Sequence, residues 1–197
     1  GKNGKAKNIR PGFMYALANT ENAKFNPNAE GIEKDKKTGQ NVPGGKVQGL
    51  GMVQMTVDTA KGTDLGKTSF KGKSDKEIAK MLKSDPDLNI AISTQFSQQI
   101  YNVFKNNKYT KSFSPFEMEM LIGIAYNNRG ESFQDVVNKI KPKNLKDLLN
   151  KADLEKQTRN HIPRLRSNLN KQRKTPQYVS GKPKEKSFKD KLLAPFS

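Results

Sequence analysis

Residues 85–104 read DPDLNIAISTQFSQQIYNVF, and their spacing decides the fold class. Asp85 is a helix-capping residue type, and Pro86 suits the first turn, where a missing N–H costs nothing. Leu88, Ile92, Phe96, Ile100 and Phe104 then recur every four residues, which lines one face of a long helix. A strand would need strict alternation instead. The same grammar repeats on either side. Ser114-Pro115-Phe116-Glu117 combines a capping box with a first-turn proline ahead of an apolar run from Met118 to Ala125. Ser74 and Glu77 form a second box before Ile78, Met81 and Leu82. Pro11 opens a helix carrying Phe13, Met14, Ala16 and Leu17, expected to run to about Lys24. Asn144 caps a short helix with Leu145, Leu148 and Leu149. Asp153 begins a last one with Leu154, Ile162, Leu165 and Leu169. The chain is therefore expected to be mainly α.

Residues 26–51 break that pattern. They are rich in Gly, Asn and Pro, lack a helical period, and predict a loop or a small hairpin. A long irregular segment inside a compact domain is usually functional. There is no internal repeat.

Composition narrows the chemistry. The 197 residues include no Cys, no Trp and one histidine, His161. A disulfide scaffold, a thiol nucleophile, a cysteine zinc site and a multi-histidine metal site are all excluded. No apolar run reaches the ~20 residues of a membrane span. The net charge of +18 implies a polyanionic partner: nucleic acid, an anionic membrane face, or a bacterial wall with its carboxylates and phosphates. The charge is uneven, +7 over residues 1–140 and +11 over 141–197. Residues 1–10 read as a flexible leader, 11–170 as the folded domain, and 171–197 as a basic tail rich in Lys, Pro and Ser. No signal-peptide pattern opens the chain.

Glu21 stands where the first helix meets the Gly/Asn-rich segment, with apolar Leu17 and Ala18 behind it. A carboxyl half covered in this way can have its pKa raised enough to act as a general acid. Other candidates have plainer readings. Gly44-Gly45-Lys46 and Gly49/Gly51 lack the spacing of a phosphate loop. His161, in a basic helix, is expected on the surface or as a cap. Met52, Met55, Met118 and Met120 read as core filling. Tyr101, Phe104 and Tyr109 among lysines suggest base stacking, but the helical stripe already accounts for Phe104, so nucleic acid is not the expected partner.

Four segments carry a resemblance. Glu21-Asn22-Ala23-Lys24-Phe25-Asn26-Pro27-Asn28-Ala29 resembles the E-S-x-F-N-P-N-A opening of lytic transglycosylase (soluble-transglycosylase-like) catalytic domains. Gln48-Gly49-Leu50-Gly51-Met52-Val53-Gln54-Met55-Thr56 resembles their G-L-M-Q element and the goose-type lysozyme form of it. Asp85-Pro86-Asp87-Leu88-Asn89-Ile90 is similar to D-P-x-x-N-I, and Ala125-Tyr126-Asn127-Asn128-Arg129-Gly130 to A-Y-N-A-G. They occur in family order over about residues 11–140. The chain departs from the pattern by one extra residue between Glu21 and Phe25, by Asn22 and Asn128 at positions of small residues, and by a charged insert, 31–45. Glu21, Glu30 and Thr56 also resemble, loosely, the acid–carboxylate–threonine order of phage-type muramidases.

The resemblance implies a lysozyme-like helical domain with a small loop or hairpin beside the cleft. It implies cleavage of the MurNAc–GlcNAc β-1,4 bond of peptidoglycan glycan strands, with Glu21 as acid and then base and 1,6-anhydro-MurNAc as product. Gln54, Met52, Tyr126 and Asn127 are the implied substrate-binding residues, with Gln54 and Tyr126 holding Glu21. No metal or organic cofactor is expected. The alternatives are a hydrolytic muramidase drawing a second carboxylate from Glu30, Glu33 or Asp35, and a non-catalytic cationic protein binding wall or nucleic acid. The expected place of action is the bacterial wall or periplasm, with the basic tail as tether. A phage lysis or virion protein, or a domain of a larger wall enzyme, fits this reading.

Overall fold

The structure, a computed structural model, describes residues 8–32, 34–38, 40–128 and 130–174. Among these are nine α-helices and one two-stranded sheet. Residues 1–7 of the predicted leader (1–10), Glu33, Gly39, Arg129 and the tail beyond 174 lie outside the described residues.

The anticipated helices form, all but the last starting where their signals stand. α1 (Pro11–Glu21) starts on its proline and ends three residues before the expected Lys24, because Asn22 leaves helical geometry at φ −147°, ψ 82°. Asn22 then braces the turn that follows, its side chain bonding both the N–H and the carbonyl of Asn26. α4 (Asp75–Ser84) and α6 (Pro115–Asn127) carry both halves of their capping boxes. α5 (Pro86–Asn106) is capped by Asp85 and buries Ile92, Ile100 and Phe104. α8 (Leu145–Lys151) is capped by Asn144. The last helix, α9, starts at Lys156, three residues after the expected Asp153 and without Leu154, and runs to Lys174, so the first four residues expected as tail are helical. Arg10, read as leader, is fastened to Glu119 by bonds of 2.6 and 2.9 Å.

Three short helices went unread: α2 (Val57–Gly62), α3 (Asp64–Ser69) and α7 (Gln134–Ile140), the last preceded by a 3-10 turn at Gly130–Phe133. α2 and α3 are set by the N-caps Thr56 and Thr63, whose hydroxyls accept the N–H groups of Thr59 and Gly66 at 3.0 Å. They are too short for apolar periodicity to show.

The irregular segment folds as a small antiparallel hairpin of β1 (Glu30–Ile32) and β2 (Val47–Leu50), pairing Glu30 with Leu50 and Gly31 with Gly49. The main core gathers α1, α6, α8, α9 and the second half of α5. A second cluster, including Leu50, Met55, Ile78, Leu82 and Ile92, lies beneath α2 to α4. Phe96 and Tyr126, their rings 5.4 Å apart, pack against both. Beyond Glu117 and Glu119, α6 is apolar on every side from Met120 to Ala125 and buries that stretch in the core. α9 lies along α1. Asn168 donates to Thr20 Oγ1 at 3.0 Å, and Arg164 donates to the Thr20 carbonyl.

Candidate active site

A cleft of about 320 Å³ opens between the hairpin and α9. Glu21 enters it from the end of α1, Tyr126 and Asn127 from the end of α6, and Lys34, Gly31 and Gly49 from the hairpin side. Gln54 and Thr56 follow β2, and Glu155, Gln157, Asn160, His161 and Arg164 come from α9 or the residue before it. Each helix terminus is held by its packing, so the cleft is lined by side chains on rigid supports.

Glu21 is buried at the cleft wall, its side chain 10% exposed. Burial pushes its carboxyl up to about 7. A hydrogen bond from Asn127 and the charges of Arg164 and Lys34 oppose that rise without cancelling it. Desolvation thus leaves a carboxyl that is protonated in a large fraction of molecules near neutrality, the state a proton donor needs. Asn127 is oriented from behind, its Oδ1 accepting the Thr158 hydroxyl at 3.1 Å.

Gln54 sits in the left-handed region at φ +51°, a strained setting for a non-glycine residue. Its Nε2 donates to the Gly51 carbonyl at 2.9 Å. Gly31 and Gly49, paired across the hairpin, leave the space its side chain fills: a Cβ at Gly31 would stand 2.4 Å from Gln54 Oε1. The turn before it depends on Gly51 at φ +75°, where a Cβ would meet Asn89 Nδ2 and the Leu82 carbonyl at 2.6 Å.

The structure rearranges several expectations. The expected hold of Tyr126 on Glu21 is not made: its hydroxyl donates to the Val53 carbonyl and meets Ser93 Oγ, both at 3.1 Å. Asn127 takes the bond to Glu21 instead. Met52, expected to touch substrate, does not line the cleft. It is 2% exposed within the main core and belongs to the packing, because its side chain follows the apolar side of the turn. Of the proposed second carboxylates, Glu30 is drawn to Lys83 at 2.6 Å, and Asp35 accepts the N–H groups of Lys37 and Thr38 in an exposed turn. Neither lines the cleft. Glu33 lies outside the described residues. The carboxylate that does share the cleft with Glu21 is Glu155, 3.5 Å from Lys36 of the hairpin loop.

His161 overturns its surface reading. It is 5% exposed, with Nδ1 3.5 Å from Glu21 Oε1. Burial and the nearby Arg164 charge hold the imidazole down at about 3, so the ring is neutral at physiological pH and this contact is no ion pair. The signal was present in the sequence: Thr158, His161, Leu165 and Leu169 share one helical stripe, and all four are buried. The basic composition of the helix masked it. Among the described residues no group of three or more His, Asp or Glu side chains is arranged to hold a metal ion.

A mainly helical domain with a small hairpin beside a cleft, and a buried glutamic acid at the end of the first helix, is the lysozyme-like architecture. The family model described as "Transglycosylase SLT domain" matches residues 1–148, and the chain belongs to that family. At family level this makes it a lytic transglycosylase-type enzyme of peptidoglycan. No curated protein and no solved structure matches the chain. No helix among the described residues is long and apolar enough to cross a membrane.

Proposed function

We propose that this chain cleaves the MurNAc–GlcNAc β-1,4 bond without water, using Glu21 first as acid and then as base. The observation that carries this is the burial of Glu21 at the cleft wall with its carboxyl raised to about 7. Protonated Glu21 gives its proton to the glycosidic oxygen as the C1–O bond breaks, leaving oxocarbenium character at C1. The resulting carboxylate then takes the proton of the sugar's own 6-hydroxyl, whose oxygen closes on C1 as a 1,6-anhydro ring. Proton and electron pairs balance, and Glu21 returns to its starting state. Gln54 and Asn127 offer amide groups for the acetamido sugars, and Tyr126 shapes the cleft between Val53 and Ser93. The basic C-terminal region, most of the +11 carried by residues 141–197, is proposed to hold the enzyme on the anionic wall, weakening with salt.

One observation favours a second reading. Glu155 lines the same cleft, so a hydrolase with Glu155 as its second carboxylate is the competing mechanism. Glu21→Gln and Glu155→Gln separate the two when assayed on purified peptidoglycan. The proposal expects the first to abolish release of soluble fragments and the second to leave it within about threefold. Abolition by both favours the hydrolase.

A further inference from the structure

Two buried polar atoms of the cleft residues have no hydrogen-bond partner among the described residues: Glu21 Oε1 and His161 Nε2. His161 Nδ1 is 3.5 Å from that same Oε1, just beyond a formed hydrogen bond, and catalytic contacts of this kind tighten when substrate fills a site. His161 sits on α9, beyond the residues that the family model covers.

The other groups facing the carboxyl are accounted for. Asn127, at the end of α6, is turned toward Glu21 by Thr158. Arg164, one turn along α9, is committed in part to the Thr20 carbonyl. Lys34 reaches over from the hairpin side as a charge, and the Tyr126 hydroxyl is engaged with Val53 and Ser93. None of these bonds reaches Oε1, and His161 Nδ1 stands 3.5 Å from it.

The tautomer follows from the burial. A proton on Nε2 would be a buried N–H with no acceptor, which costs more than leaving a bare nitrogen lone pair there. The ring proton therefore belongs on Nδ1, facing Oε1. A neutral imidazole so protonated cannot take the acid proton from Glu21, and leaves it for the cleft. It can, however, donate to the carboxylate once that proton has gone.

We propose that His161 is a positioning residue for Glu21: its Nδ1–H closes onto Oε1 as the carboxyl gives its proton to the leaving oxygen. The bond fixes the carboxylate with its other oxygen toward the sugar, ready to take the proton of the 6-hydroxyl. This rests on the reading of Glu21 as acid and base.

The chain has one histidine, so ¹⁵N-imidazole NMR of the whole protein reports on His161 without ambiguity. The expected spectrum is a neutral ring, protonated on Nδ1, from pH 5 to 8. In kinetics, His161→Phe removes a donor to the anion. The Glu21 pKa then rises, and the alkaline limb of kcat moves up by about one pH unit. kcat falls roughly tenfold to a hundredfold while KM stays within about twofold. His161→Gln, whose amide can donate from nearly the same place, recovers most of kcat. A ring protonated on Nε2, or an imidazolium at pH 6, overturns the inference. So does a Gln variant as poor as the Phe variant, which would mean packing alone. If the Phe variant does not fold, the wild-type spectrum and the Gln variant carry the test. An inactive Glu21→Gln beside an unchanged His161→Phe overturns this inference alone, whereas an active Glu21→Gln overturns both readings.

Discussion

Asn89, in the first turn of α5, accepts the backbone N–H of Val53 at 3.1 Å and so fixes the turn that presents Gln54 to the cleft. Its Nδ2 also donates to the Leu50 carbonyl at 3.0 Å and the Leu82 carbonyl at 3.2 Å. One fully buried amide thus ties β2, the turn, α4 and α5 together, which gives the Asn of the D-P-x-x-N segment a physical reason. Asn89→Ala strands these buried backbone groups and is expected to cost about 2–4 kcal/mol, read by chemical denaturation, with activity lost as Gln54 leaves its seat. A loss under about 0.5 kcal/mol would contradict this account of the turn.

Gly31→Ala tests the seat of Gln54 from the other side. The added Cβ would collide with Gln54 Oε1 and not with backbone, so the side chain is expected to move while the fold survives. Activity should fall at least tenfold, approaching that of Gln54→Ala, with stability changed by about 1 kcal/mol or less. Full activity in Gly31→Ala would show that the position of Gln54 is immaterial.

The raised Glu21 carboxyl makes stability depend on pH, with a definite sign. Its folded value of about 7 stands above the ordinary 4.5, so the folded chain binds this proton more tightly than the unfolded chain does. That contribution is fully present below about pH 4.5 and is lost as pH climbs to 7, a fall on the order of 3 kcal/mol. Glu21→Gln should therefore melt with a flatter pH dependence, its advantage over wild type growing from pH 4.5 to pH 8. Parallel melting curves across that range would mean that Glu21 is not buried as described.

Much of the architecture was legible because capping residues and four-residue apolar spacing are local. Ser74, Asp85, Ser114 and Asn144 mark helix starts, and the structure places helices there. α2 and α3 were missed because six-residue helices show no period, although Thr56 and Thr63 were available as caps. Within the site, the Glu21, Gln54, Tyr126 and Asn127 positions were readable from motif order, and all four line one cleft. Met52 was misplaced because neighbours in a turn point to opposite sides. The α9 wall was missed because its chemistry is long-range: His161 and Arg164 meet Glu21 only through the packing of the last helix on the first. The charge of that helix, which reads as surface, concealed its buried stripe.

Glu21 is proposed to serve as the only acid and base of the reaction. Mass spectrometry of the soluble products of purified peptidoglycan digested by the wild-type chain, with Glu21→Gln as control, distinguishes this from hydrolysis. Muropeptides ending in 1,6-anhydro-MurNAc, lighter by one water than the reducing-end forms and absent from the control, are the expected result. Reducing-end MurNAc as the main product would contradict the account and direct attention to Glu155.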